Sequence, residues 1–224
     1  MKKNYKNIQH HSIRTGLTTA VFLILLLLTG YPIPVSAHDS SGEPYVAEAW
    51  DQLEKFLTEM IGLIKETKGA VSLEEREKRL YTRAMENFDF RTFSQLSLGR
   101  KYRSFSEQQQ KEFTHYFSRL ISKTYVARLQ GQNIENISIE YDEARSLEPK
   151  NGILRVDAAT RLIQSGTPIP IVYRLIRREG SDWKIYDVQI EGVSMAANYR
   201  DQFREAVSDS PEKIITDLKE KVQE

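Results

Sequence analysis

From Val46 to about Lys65 apolar side chains recur at three- and four-residue intervals: Val46, Ala49, Trp50, Leu53, Phe56, Leu57, Met60, Ile61 and Ile64. That spacing places them on one face of a helix. Pro44 stands where a helix can open, because its missing N–H would be unpaired there anyway. Gly69 ends the stretch. Ser72 with Glu75 reads as a capping box, each side chain bonding an otherwise orphaned N–H, and predicts a second helix to about Asn87. Phe88 to Leu98 reads as a short, aromatic-rich helix closed by Gly99. Ser106 and Gln109 repeat the capping pattern ahead of the longest helix. That helix carries Phe113, Phe117, Leu120, Ile121 and Tyr125 to Leu129, with Gly131 as its C-terminal stop.

The period then switches from 3.6 to 2. Strands are predicted over Ile134–Tyr141, Ile153–Gln164, Ile169–Arg178 and Trp183–Ile190. Ser165-Gly166-Thr167-Pro168 and Glu179-Gly180-Ser181-Asp182 are turn chemistry at hairpin length, so neighbouring strands should run antiparallel. Beyond Gly192 the helical period returns through Phe203, and Pro211 opens a last helix with Ile214, Ile215 and Leu218. Helices, a meander, then helices make an α+β chain. Ile169, Ile171, Tyr173 and Leu175 form one apolar row, yet Val172 and Ile176 lie on the other. Trp183 and Ile185 likewise oppose Tyr186, Val188 and Ile190. A sheet with one wet face alternates more cleanly. Either helices cover both faces or one face lines a cavity.

The N-terminus has the layout of a secretory leader. Lys2, Lys3, Lys6 and Arg14 precede the mostly apolar run Leu17–Thr29, and Val35-Ser36-Ala37 offers small residues for a cut after Ala37. The run falls short of the roughly 18–20 apolar residues that span a bilayer. Residues 1–37 are thus read as a signal peptide and 38–224 as a single domain, helical over about 44–130 and sheet over about 133–192. Removing the leader takes four cations and no acid from a chain of net charge +1, leaving a mildly acidic exported protein.

Much chemistry is missing. With no cysteine there is no disulfide, thiolate metal site or Cys nucleophile, and the near-neutral balance gives no nucleic-acid footprint. Neither a phosphate loop nor a dinucleotide fingerprint occurs. His115 is the one histidine left for a hydrolase triad, and Gly192-Val193-Ser194 lacks the second glycine of a nucleophile elbow because Ala196 stands there. Asp187 and Glu191 read as a strand end and turn before they read as a catalytic pair. Asn136-Ile137-Ser138 has the form of a glycosylation acceptor but falls in a predicted strand. Arg174, Arg177 and Arg178 form a basic strand end that could grip an acidic partner.

An ordered set of segments carries a resemblance. Leu98-Gly99-Arg100-Lys101-Tyr102-Arg103, the Phe113/Phe117/Tyr125 helix, Gly131-Gln132, Pro168–Tyr173 and Trp183-Lys184-Ile185-Tyr186-Asp187-Val188 belong to it. Its most specific stretch is Ile190-Glu191-Gly192-Val193-Ser194 with Tyr199-Arg200 and Phe203 behind it, and Asn87-Phe88-Asp89-Phe90 adds to it. Together these resemble the MlaC, or toluene-tolerance, family, the periplasmic phospholipid-binding components of Mla ABC transport systems. Asp39 to Lys78 is similar only in pattern.

The resemblance implies a four-stranded, curved, nuclear-transport-factor-like sheet packed with helices around a cavity for acyl chains, with the head group near the surface. It implies no cofactor and no catalysis. Its partners would be phospholipid, an inner-membrane ABC transporter with an MCE-domain protein, and an outer-membrane lipoprotein–porin complex, in the service of outer-membrane asymmetry. Lining candidates on the helices are Phe88, Phe90, Phe93, Leu96, Leu98, Phe117, Ile121 and Tyr125. On the strands and the turn after them they are Val172, Ile176, Val188, Ile190 and Val193. Other readings stay open: a hopanoid-type lipid carrier, a cone-cavity enzyme with Asp157 or Asp187 as general base beside a tyrosine, and a solid-cored adaptor docking through Arg174, Arg177 and Arg178.

Overall fold

The computed structural model describes residues 43–129, 137–164, 166–205 and 210–223. The leader, Gly131-Gln132, Asn136, Ser165 and the first three residues of the first predicted strand lie outside them. Helix α1 (Pro44–Thr67) opens on its proline, and α2 (Leu73–Asn87) starts from Ser72, whose Oγ accepts from the Glu75 N–H at 3.2 Å. The expected reciprocal bond of that box is replaced: Glu75 instead accepts from Arg79 Nε at 2.8 Å, one turn along. Helix α3 (Phe90–Leu98) begins two residues later than the sequence suggests. Asp89 caps it, accepting from the Thr92 N–H at 2.8 Å, while Phe88 stays extended and bridges to Ile185. A 3₁₀ turn over Gly99–Ser104 follows. Ahead of α4 (Glu107–Leu129) the Ser106/Gln109 box is complete, with both reciprocal bonds made.

Five strands form one antiparallel meander in sequence order: β1 (Ile137–Lys150), β2 (Ile153–Gln164), β3 (Thr167–Arg177), β4 (Lys184–Ile190) and β5 (Val193–Ser194). The expected four-stranded curved sheet is therefore corrected to an open five-stranded one, since β5 adds to β4 through the two-residue turn Glu191-Gly192. Both turn residues have positive φ, 51° and 80°, as a type I′ hairpin requires. The first strand is also longer than predicted. Asn151-Gly152, with φ of 54° and 72°, makes a second such turn and lets β1 pair with β2 as far as Lys150. Pro168 and Pro170 sit in β3 beyond the end of its ladder with β4, which starts at Ile171, so their missing N–H groups interrupt no pairing on that side.

Register corrects the two-sided reading of the fourth strand. Arg174 pairs with Asp187 but Leu175 with Ile185, so Tyr186 is one residue too many and shifts the phase of β4. Ile185, Val188 and Ile190 consequently share the face of Leu175, Tyr173 and Ile171. Val156, Ala158 and Leu162 extend that interior face on β2. Helix α1 lies across it with Ala49, Leu53 and Phe56, and Trp183 completes the cluster. On the opposite face Val172 pairs with Gln189 and Ile176 with Lys184.

The remaining helices make a second layer. An aromatic cluster ties α3 and α4 to α5 (Met195–Glu205): Phe117 lies 5.1 Å from Phe113, 5.6 Å from Phe93 and 4.9 Å from Tyr199, ring centre to ring centre. Helix α6 (Pro211–Gln223) packs on α4 through Ile214, Ile215 and Leu218.

Candidate functional site

Between this helical layer and β4 lies a cavity of about 210 Å³. Met60 of α1, Leu80 and Ala84 of α2, Phe88, Phe90 and Phe93, four residues of α4, Val188 and Met195 line it. Only Ser122 and Tyr125 in that wall carry a polar side-chain group, and the Tyr125 hydroxyl is turned to Met195 Sδ at 3.7 Å. A space with so few hydrogen-bond partners suits hydrocarbon and not water.

Helix geometry explains the wall. Leu80 and Ala84 are one turn apart on α2, as are Ile121 and Tyr125 on α4, with Ser122 and Val126 on the adjoining stripe. Asp89 separates Phe88 from the α3 helix, so the chain turns between Phe88 and Phe90 while their rings stack at 5.4 Å. The Asp89 cap is braced from the sheet: Arg178 donates to its carboxylate at 2.7 Å and to the Thr92 hydroxyl at 2.9 Å. Burial works to raise the Asp89 carboxyl, but the bonds from Thr92 and Arg178 together hold it below its ordinary range.

Six sequence candidates meet in the cavity wall: Phe88, Phe90, Phe93, Ile121, Tyr125 and Val188. The others lie elsewhere. Phe117 is inside the aromatic cluster, Leu98 is buried outside the cavity wall, and Ile190 packs against the core on the interior face. Leu96 is 36% exposed and Val193 47% exposed. Val172 and Ile176 are on the far face of the sheet. Sequence reasoning missed Met60, Leu80, Ala84, Ser122, Val126 and Met195. Met60 continues the Phe56 stripe of α1, a signal that was available; Ala84 and Ser122 gave none, being small or polar.

The three arginines suggested for a partner make contacts within the chain. Arg174 faces two carboxylates, Asp157 at 3.8 Å and Asp187 at 3.4 Å. Arg177 pairs with Glu48 and lies 4.9 Å over the Trp183 ring, and Arg178 braces Asp89. Asp187, 1% exposed, accepts from the N–H groups of Val188 and Ala196, from Ser194 Oγ at 2.6 Å and from Arg174. Its lone pairs are spent on holding the β4–β5 hairpin to the start of α5. The hydroxyl of Tyr186, beside it in the chain, is pushed up by burial, so it carries its proton at neutral pH. Among the described residues no group of three His, Asp or Glu could hold a metal ion, and no helix is long and apolar enough to cross a membrane.

The same fold occurs in a phospholipid-binding protein from Ralstonia solanacearum, solved in complex with a phospholipid. The two structures agree with a TM-score of 0.67 at 20% sequence identity, over 79% of this chain and 97% of that one. No curated protein matches the sequence. The profile of the MlaC protein family matches residues 54–220, from the middle of α1 into α6, and by that match the chain belongs to the MlaC family.

Proposed function

We propose that this protein is an exported carrier that holds phospholipid by its acyl chains and hands it between membranes within an Mla-type transport system. The observation that carries the reading is the cavity. It offers about 210 Å³ walled almost wholly by apolar side chains, a surface that a hydrocarbon chain entering it would remove from water. Small side chains at Ala84 and Ser122 leave the width that such a chain needs. The wall selects the ligand class: aliphatic and aromatic, with methionines at Met60 and Met195 that repack easily around a flexible chain.

Size sets the mode of binding. Pockets that enclose drug-sized ligands measure about 300–1,000 Å³, so a pair of acyl chains requires α2 and α4 to move away from β4. Each methylene buried returns about 0.8 kcal/mol, which drives that opening as the chains enter. Leakage into water is suppressed by the same sum. In this reading the leader directs the chain to the periplasm, where it meets an inner-membrane ABC transporter with an MCE-domain protein and an outer-membrane lipoprotein–porin complex. Partner docking supplies the differential affinity that sets direction.

The relative from Ralstonia solanacearum, with phospholipid bound on the same fold, supports the cargo class. Solvent extraction of the purified protein followed by mass spectrometry tests it, and phospholipid in the extract is the expected result. A hopanoid-type lipid would redirect the reading. Protein that carries no lipid and takes none from phospholipid vesicles would end it.

A further inference from the structure

Arg76 is 5% exposed, and its Nε is buried without a hydrogen-bond partner. Among the described residues its guanidinium makes one polar contact, a long bond in which Nη2 donates to the Ile64 carbonyl at 3.4 Å. No carboxylate among the described residues pairs with it. Two acids of the same helix pair, Glu75 and Glu66, are turned to Arg79, at 2.8 Å and 3.6 Å. A guanidinium stays charged at any physiological pH, and a buried cation without an anion is strongly penalised. The C-terminal end of α1, where Ile64 lies, supplies only about half a negative charge.

The position of this unmatched charge identifies its partner. Arg76, Leu80 and Ala84 stand at i, i+4 and i+8 on α2, and the last two line the cavity. Across from them, Met60 lines the cavity and Ile64, whose carbonyl Arg76 holds, is one turn further along α1. The backbone of Arg76 thus stands one helical turn, about 6 Å, along α2 from Leu80, and its guanidinium lies at the Ile64 carbonyl, next to the wall rather than in it. An amphiphile lying with its chain past Leu80 and Met60 would bring its polar end to Arg76.

We propose that Arg76 is the counter-charge for the phosphate of the cargo lipid, an anion site at the α1–α2 end of the cavity. This rests on the reading of the cavity as an acyl-chain site. A phosphodiester has the charge and the paired oxygens that a guanidinium fork engages. An uncharged diacylglycerol has the same chains and lacks both.

The test offers the protein vesicles containing tagged phosphatidylglycerol or tagged diacylglycerol with identical chains. Uptake per protein should favour the phospholipid by about tenfold or more, the worth of one charge-assisted bond. Arg76→Gln should bring that ratio close to one while diacylglycerol still enters, which shows the cavity intact, and Arg76→Lys should keep most of the preference. An unchanged ratio in Arg76→Gln overturns the proposal and leaves the acyl-chain reading standing. Where Arg76→Gln does not fold, Arg76→Met, of similar volume and uncharged, is scored by the same ratio. Uptake of neither lipid by the unaltered protein overturns both readings. Inorganic phosphate that raises the melting temperature of the unaltered protein and not of Arg76→Gln, without any lipid preference, assigns the site to free anion and also overturns the proposal.

Discussion

Asp187 Oδ1 accepts a hydrogen bond from the Ala196 N–H at 3.0 Å, across the hairpin that separates β4 from α5. Its other oxygen accepts from Ser194 Oγ, so both chain neighbours of Met195 are tied to one buried carboxylate, and Met195 is a wall of the cavity. Asp187 is thus a positioning residue for that wall. Asp187→Asn should lower stability by about 1–3 kcal/mol, because an amide N–H₂ would meet donors in a buried site while Arg174 keeps Asp157. Urea unfolding measures the loss. A change below about 0.5 kcal/mol, the size of an ordinary surface substitution, would contradict the role assigned to Asp187.

The cavity should respond to filling with opposite signs in two measurements. Ala84 is half-buried in its wall. Ala84→Phe should raise stability by about 0.5–2 kcal/mol, as cavity-filling changes commonly do. The same change should cut lipid uptake by about tenfold, equivalent to about 1.4 kcal/mol of lost binding. Thermal unfolding and vesicle uptake on one preparation check both. Stability gained with uptake unchanged would mean that the lipid lies elsewhere.

The helical stripes, the period switch and the turn glycines make the α+β layout readable from residue spacing alone. Two features were legible only in part. Asn151-Gly152 is a strong hairpin signal, yet the charged Asp142, Glu143 and Glu148 hide the second half of β1, which pairs on one side only. The bulge at Tyr186 leaves no mark in sequence, because either phase of β4 is apolar. The cavity suffered for the same reason: Leu98, Phe117 and Ile121 are alike as letters, and tertiary packing alone decides which of them meets empty space. In sequence Arg76 is one more cation beside Lys78, Arg79 and Arg83, and only the fold buries it.

Acid should act through the α3 cap. The folded carboxyl of Asp89 lies below its ordinary range, so its ionised form stabilises the fold above the unfolded value of about 3.9. That contribution is lost as pH falls below the unfolded value through the folded one. Asp89→Ala should cost about 1–2 kcal/mol at pH 7 through the lost cap. Its difference from the unaltered protein should shrink steadily on going from pH 5 to pH 2. Urea midpoints across that range decide the matter, since a constant difference would place the effect in packing.

The end of α3 offers a last separation of causes. Gly99 has φ of 56° and ψ of −128°, a region that L side chains avoid, and its N–H closes the helix on the Gln95 carbonyl. A methyl group there would also lie 3.2 Å from Arg200 Cδ, the flexible end of a side chain that can yield. Backbone strain should therefore dominate, and Gly99→Ala should cost about 1–3 kcal/mol. Adding Arg200→Ala to Gly99→Ala removes the close contact and leaves the dihedral strain, so the double variant should recover less than half of the loss. Full recovery in the cycle would show that the arginine, and not the backbone, demands glycine at this position.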